Sequence, residues 1–298
     1  MSLQETSIPG YNPGMVESVG SEYSIKQKLK QQFIAFVQSA SRLLFKSELC
    51  WKMTSIVCDE FRREQLRIEK RLMERFVDDR ESIIHSGAFA GMRYGTEAVG
   101  GAILPKIIGS YECQLSDLIV GFKHRDYTHA VDIGSAEGYY VVGLARLMPG
   151  VKVFAFDIDP KAHELCRDNA ERNSVLDQIQ FRDECTPTEL AKVIEHKTLI
   201  VCDCEGFEAE ILDPVATPEL GQCDILVELH DLIVPGVSDL IYRRFRDTHE
   251  IEFYSEGARD PDAYPALRGL KEFEASLAMN EKRGGRMQWA FLESRNQP

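Results

Sequence analysis

The sequence predicts an α/β fold: a mainly parallel sheet with helices on both faces, plus an N-terminal helical extension. Three observations carry this. From His129 onward short apolar runs alternate with segments of helical periodicity, the pattern of a sheet built from β–α crossovers. The first two of those runs end in an acid, Asp132 and Asp157, with a glycine turn after the first. From Ser21 to Ser86 there is no glycine or proline, and apolar residues recur at helical intervals.

The chain divides by this pattern into a polar arm (1–20), a helical N-terminal region with a loop or lid (21–125) and a core (126–298). The helical set runs Phe33, Ile34, Phe36, Val37, Leu43 and Leu44, then Phe61, Leu66, Ile68, Leu72, Met73, Phe76 and Val77. Such stripes need burial against the core or a second copy, so a homodimer through these helices is expected. Gly87 to Gly101 reads as a loop, either a plain connection or a lid over a ligand. Tyr111 to Gly121 reads as one helix. In the core the expected strands are 130–133, 151–156, 179–181, 199–202, 225–229, 250–254 and 287–292; the expected helices are 139–148, 160–173, 208–212 and 238–245.

Charge and composition narrow the function. A net charge of -13 over 298 residues argues against a nucleic-acid partner. No apolar run approaches the roughly 20 residues of a membrane span, and the first residues lack a secretory pattern. Eight cysteines without a CxxC fit reduced thiols in a cytoplasmic protein, and the Cys202-x-Cys204 spacing is not that of structural zinc.

The turn Asp132-Ile133-Gly134-Ser135-Ala136-Glu137-Gly138 lies where open α/β sheets bind ligands, beyond the carboxyl ends of the strands. Asp157, nineteen residues after Gly138, can accept bonds from both hydroxyls of a ribose. Together these elements point to an adenosine-containing ligand. A dinucleotide would call for GxGxxG and room for a pyrophosphate, whereas Asp132 and Glu137 would repel one. The same carboxylates suit a ligand with an ammonium and a positive sulfur, so S-adenosylmethionine is expected over NAD(P). Ser135 and Ile158 complete the expected cofactor set, with Asp183 or Glu184 on the adenine side.

The stretch Val131 to Tyr140 with Phe154-Ala155-Phe156-Asp157 resembles the first two motifs of class I methyltransferases. Cys202-Asp203-Cys204-Glu205-Gly206-Phe207-Glu208 is similar to the D-x-E-G-x-E segment of FkbM-type methyltransferases, and Val227-Glu228-Leu229-His230 to the strand after it. The resemblance covers roughly Gly87 to Ser294. It implies a seven-stranded Rossmann-like sheet whose last strand runs antiparallel, with Asp132, Gly134, Gly138 and Asp157 at the cofactor. In the commonest class I loop a glycine stands at the position of Ala136.

Methyl transfer to a hydroxyl needs an aligned nucleophile and a base for its proton. His230, Asp203, Glu205 and Glu228 are the candidates at the ends of the fourth and fifth core strands, His230 being the best base by intrinsic pKa. Glu208 reads as a helix-starting acid. Asp203, Glu228 and Asp231, with His230, would also suit Mg²⁺. The expected activity is O-methylation of a small molecule; an NAD(P)-dependent oxidoreductase and a non-catalytic module on the same fold are the competing readings.

Overall fold

The computed structural model describes residues 46–77, 81–99, 101–195, 197–285 and 287–296, together with 32, 35, 37 and 39–41. The expected arm over 1–20, and Phe33, Ile34, Phe36, Leu43 and Leu44 of the first apolar set, lie outside these. The chain forms two compact units, Met1–Leu66 and Arg67–Pro298. The helix α1 (Glu48–Phe76) supplies most of the described part of the first unit and continues into the second. No helix among the described residues is long and apolar enough to cross a membrane.

In the second unit the helical reading through Ser86 is corrected. α1 stops at Phe76, and β1 (Glu81–Ile83) pairs antiparallel with β2 (Arg93–Gly95). The glycine-rich stretch after Gly87 is therefore the turn and second strand of a hairpin. Its Phe89, Met92 and Tyr94 are buried against Tyr139 and Tyr140 of the core. Aromatic burial dominates here over the turn propensity of the glycines, which the sequence pattern alone weights more heavily. A short helix that periodicity did not suggest follows, α2 (Ile103–Ile108), and α3 (Ser116–Gly121) is preceded by a 3₁₀ turn instead of continuing from Tyr111.

Seven strands form the main sheet: β3 (His129–Ile133), β4 (Lys152–Phe156), β5 (Ile179–Arg182), β6 (Thr198–Cys202), β7 (Asp224–Leu229), β8 (His249–Ser255) and β9 (Gln288–Ser294). Their order is β5-β4-β3-β6-β7-β9-β8, and β9 alone runs antiparallel to its neighbours. Between them lie α4 (Tyr139–Leu147), α5 (Pro160–Arg172), α6 (Pro187–Ala191), α7 (Glu208–Ile211), α8 (Val237–Phe245) and α9 (Glu272–Ala278). The α/β class, the seven strands and the antiparallel last strand agree with expectation.

Alternation along the strands covers both faces. Ala130, Val153, Ala155, Leu199 and Val201 pack on α4, while Val131, Phe154, Ile200, Ile225 and Val227 pack with Val237, Ile241 and Phe245 of α8. Each fully buried Val, Leu, Ile or Phe contributes roughly 1.5–3 kcal/mol, so a one-residue slip would forfeit a whole face. The register aligns the carboxyl ends. Ile133 is opposite both Phe156 and Cys202, and Cys202 is opposite Val227. Gly134, Asp157 and Asp203 therefore leave the sheet in one row, level with Glu228 of β7. Strand order reverses between β3 and β6, the place where such sheets open a crevice.

Candidate active site

A cavity of about 410 Å³ opens at that reversal, lined by Asp132, Gly134, Ser135 and Ala136 of the first turn, Tyr139 and Tyr140, and Asp203, Glu205, Glu228 and His230 of the next strand ends. Lys106, Tyr111 and Arg283 close it from outside the sheet.

The turn is held by backbone contacts. The N–H groups of Gly134 and Ser135 both donate to Phe156 O, at 2.9 and 3.0 Å. Gly134 has φ +87°, and a Cβ there would stand 1.8 Å from Asp203 O, so glycine is required where β3 and β6 part. Ala136 also takes a positive φ, +45°, and its N–H donates to Asp157 Oδ2 at 2.8 Å. The alanine that departs from the commonest loop is thus held in its left-handed conformation by the acid of the neighbouring strand. The other oxygen of Asp157 accepts from Asp159 N at 2.8 Å. Each oxygen keeps a second lone pair for a ligand.

Of the expected cofactor residues, Glu137 and Gly138 stand behind the cavity wall. Glu137 is buried below the turn and does not line the cavity; it accepts from Lys106 Nζ at 2.5 Å, Tyr94 Oη at 2.9 Å and Val99 N at 3.2 Å. Burial opposes its charge, but Lys106, with a backbone N–H and Tyr94, outweighs burial and holds the carboxyl below its ordinary value. Gly138 caps the start of α4, and a Cβ on it would meet Cys166 Sγ at 2.5 Å, so it serves helix packing against α5. Asp157, Ile158 and Asp183 also lie outside the wall of this cavity. Ile158 is 80% exposed. Asp183 lines a second space of about 290 Å³ with Phe156, Phe181, Arg182 and Glu184.

At the opposite end His230 is buried among acids. Its Nδ1 is 2.7 Å from Glu208 Oε1, and its Nε2 is 3.6 Å from oxygens of Asp203, Glu205 and Glu228. Glu208 starts α7 as expected, accepts from the N–H groups of Cys204 and Gly206, and also orients the imidazole, a role the helix-start reading missed. Its carboxyl is held low: burial opposes the charge, and the bond and charge of His230 together with backbone N–H groups of Gly206 and Glu208 outweigh it. An ionised Glu208 only accepts, so Nδ1 carries the proton and Nε2 faces the cavity. Burial pushes the imidazole down, but Glu208, Asp203 and Glu205 together raise it above the ordinary histidine value. Burial raises Asp203, with the charge of Glu205 adding and His230, Glu228 and Arg283 opposing. Burial, then the charges of Asp203 and Glu112, raises Glu228 to about 10, with Arg283 opposing. Glu205 sits at the rim, its side chain 80% exposed.

Asp231 does not join this group. It accepts from the N–H groups of Gly236 and Ser238 and from the Ser238 hydroxyl at the start of α8, which corrects its place in the metal set. Ligand atoms of Asp203, Glu228 and His230 lie within 4.8 Å of one another. Arg283, absent from the sequence reading, bonds Glu228, Glu112 and Glu281. It precedes β9 in a charged stretch, and burial of an arginine leaves no periodic signal.

No family model matches the chain. Over 52 residues, 17% of the chain, it is 49% identical to the ribosomal protein L11 methyltransferase of Aeromonas hydrophila, and the match spans 17% of that protein's length. Among solved structures, a precorrin-6Y C5,15-methyltransferase from Geobacter metallireducens aligns with 59% of this chain and 86% of its own, at 13% identity and a TM-score of 0.42. An O-methyltransferase from Bacillus cereus, solved with S-adenosylhomocysteine, aligns over 62% and 81% at 13% identity and a TM-score of 0.40.

Proposed function

We propose that this chain is an S-adenosylmethionine-dependent methyltransferase that methylates an oxygen of a small molecule. The observation that carries the reading is the convergence of Asp132, Asp203, Glu205 and Glu228 on one cavity, beside the glycine turn and His230. Acids so placed suit a sulfonium and an ammonium and would repel the pyrophosphate of a dinucleotide. The residues fit the cofactor in a second respect: Ser135 Oγ is buried at the cavity wall without a hydrogen-bond partner. The likeness to FkbM-type enzymes gains physical content from the same geometry, since all three acids of Asp203-x-Glu205-x-x-Glu208 meet the ring of His230.

When bound, the cofactor supplies an electrophilic methyl carbon. The chain's part is to hold the acceptor in line with it and to take the hydroxyl proton on His230 Nε2, with Glu208 steadying the resulting imidazolium. Calorimetry with S-adenosylmethionine and S-adenosylhomocysteine tests the reading; failure of the folded chain to bind either one overturns it. Asp157→Ala should weaken S-adenosylhomocysteine binding by about 1–3 kcal/mol, through loss of the ribose acceptor and of the Ala136 support.

A proton effect should accompany binding. Burial, then Asp203 and Asp157, holds the Asp132 carboxyl well above the usual carboxylate range. A ligand cation reverses that, so binding releases a proton and weakens as pH falls. Calorimetric enthalpies in buffers of different ionisation enthalpy measure the release, and proton uptake on binding would contradict it.

A second reading adds a divalent cation such as Mg²⁺. Asp203, Glu228 and His230 would hold it, and Asp203 Oδ1 is buried without a hydrogen-bond partner. The ion would polarise the acceptor oxygen. Transfer rates unchanged by chelator and by added Mg²⁺ would exclude it.

A further inference from the structure

We propose that Lys106 receives the carboxylate at the amino-acid end of the cofactor, an inference that rests on the S-adenosylmethionine reading above. That molecule carries a sulfonium, an ammonium and a carboxylate. The cavity's acids answer the two cations, but they repel the third group, which needs a positive partner of its own within the same walls.

Among the described residues lining the cavity, the lysines and arginines are Lys106, Lys282 and Arg283. Arg283 stands at the reacting end, bonded to Glu228, Glu112 and Glu281. Lys282 is 57% exposed at the rim and pairs with Glu69 at 2.8 Å. Lys106 differs from both. Its side chain is 3% exposed, and its Nζ lies 4.9 Å from the centre of the Tyr111 ring and 5.7 Å from that of Tyr139. Tyr139 opens α4 directly after the glycine turn, so this ammonium borders the cavity on the turn side. The aromatic faces hold the ammonium in place, and the low local dielectric strengthens its field.

Its ion pair with Glu137 does not oppose the role. Glu137 also accepts from Tyr94 and Val99, so its charge is shared among several donors. An ammonium carries three donor hydrogens and can bridge two carboxylates. In this arrangement Glu137, read from sequence as a cofactor contact, acts one step back: it fixes the lysine that makes the contact.

The test pairs ligands with variants in calorimetry on the full chain, with S-adenosylhomocysteine set against its decarboxylated analogue. The wild-type chain is expected to prefer the carboxylate-bearing ligand by about tenfold or more, the size of one charged hydrogen bond. Lys106→Met should bring that preference to within about twofold, with the decarboxylated ligand bound nearly as well as before, whereas Lys106→Arg should retain most of it. Glu137→Gln, which removes the competing carboxylate, should widen the preference and serves where the methionine variant does not fold. Equal weakening of both ligands in Lys106→Met would mean a merely structural lysine and would overturn the proposal. So would an undiminished preference in that variant, an unchanged one in Glu137→Gln, or no preference in the wild type. Failure of the wild type to bind either ligand would instead overturn the cofactor reading beneath it.

Discussion

His230→Ala should lower kcat for methyl transfer by about a hundred- to ten-thousand-fold, the range for a lost general base, and leave S-adenosylhomocysteine affinity within about twofold. The asymmetry follows from position: Nε2 faces Asp203, Glu205 and Glu228 at the reacting end, and the bonds that hold the turn after β3 come from Phe156 and Asp157, not from His230. Only unprotonated Nε2 accepts a proton. Because the surrounding acids raise the imidazole above its ordinary value, kcat should climb with pH through an apparent pKa higher than 6.5. Glu208→Gln removes the main hydrogen-bonded anion, so that limb should move to lower pH, with a smaller loss of rate than in the alanine variant. Single-turnover transfer measured across pH reads both effects. A profile unmoved by Glu208→Gln would mean that the imidazole is not the titrating base.

Gly134→Val should abolish detectable cofactor binding and destabilise the chain by about 3 kcal/mol or more, since overpacking and a left-handed φ add. The first side-chain carbon would fall 1.8 Å from Asp203 O, a backbone atom that moves only if β6 moves. Gly221→Ala is the control: a carbon added there meets nothing within 4 Å, and stability should stay within about 0.5 kcal/mol of wild type. Urea unfolding with calorimetry on the same preparations distinguishes the two. Near-normal stability for Gly134→Val would mean that the turn does not hold β3 and β6 as described.

The parts of this fold legible in the sequence are those built on repetition. The inner strands β3, β4, β6, β7 and β9 show as apolar runs because both their faces are buried, whereas the edge strands β5 and β8 are half exposed and show as mixed runs. Gly134 and Asp157 were visible because a turn between strand and helix permits few residue types. What escaped was contact between distant segments. Glu137 reads as an acid facing the ligand because its neighbours in sequence do, but Lys106, 31 residues away, draws it below the turn. Gly138 reads as a ligand-side glycine, and only the crossing of α5 shows that it makes room for Cys166. Asp231 adjoins His230 in sequence and is instead engaged at the start of α8. Glu208 showed as the last acid of the D-x-E-G-x-E segment but without its bond to His230, and Arg283 gained its role from burial, which no local pattern encodes.

The bond from Tyr94 to Glu137 has a consequence for how the molecule could be divided. A chain cut at Asp126 would keep all seven strands of the main sheet, and by pattern it would pass as a complete domain. It would also strip Glu137 of Lys106, Tyr94 and Val99 together, stranding a carboxylate in the interior beside the very turn the ligand needs. The hairpin and α2 ahead of the sheet are thus a built-in splint, and a trimmed chain should melt first at its most useful corner.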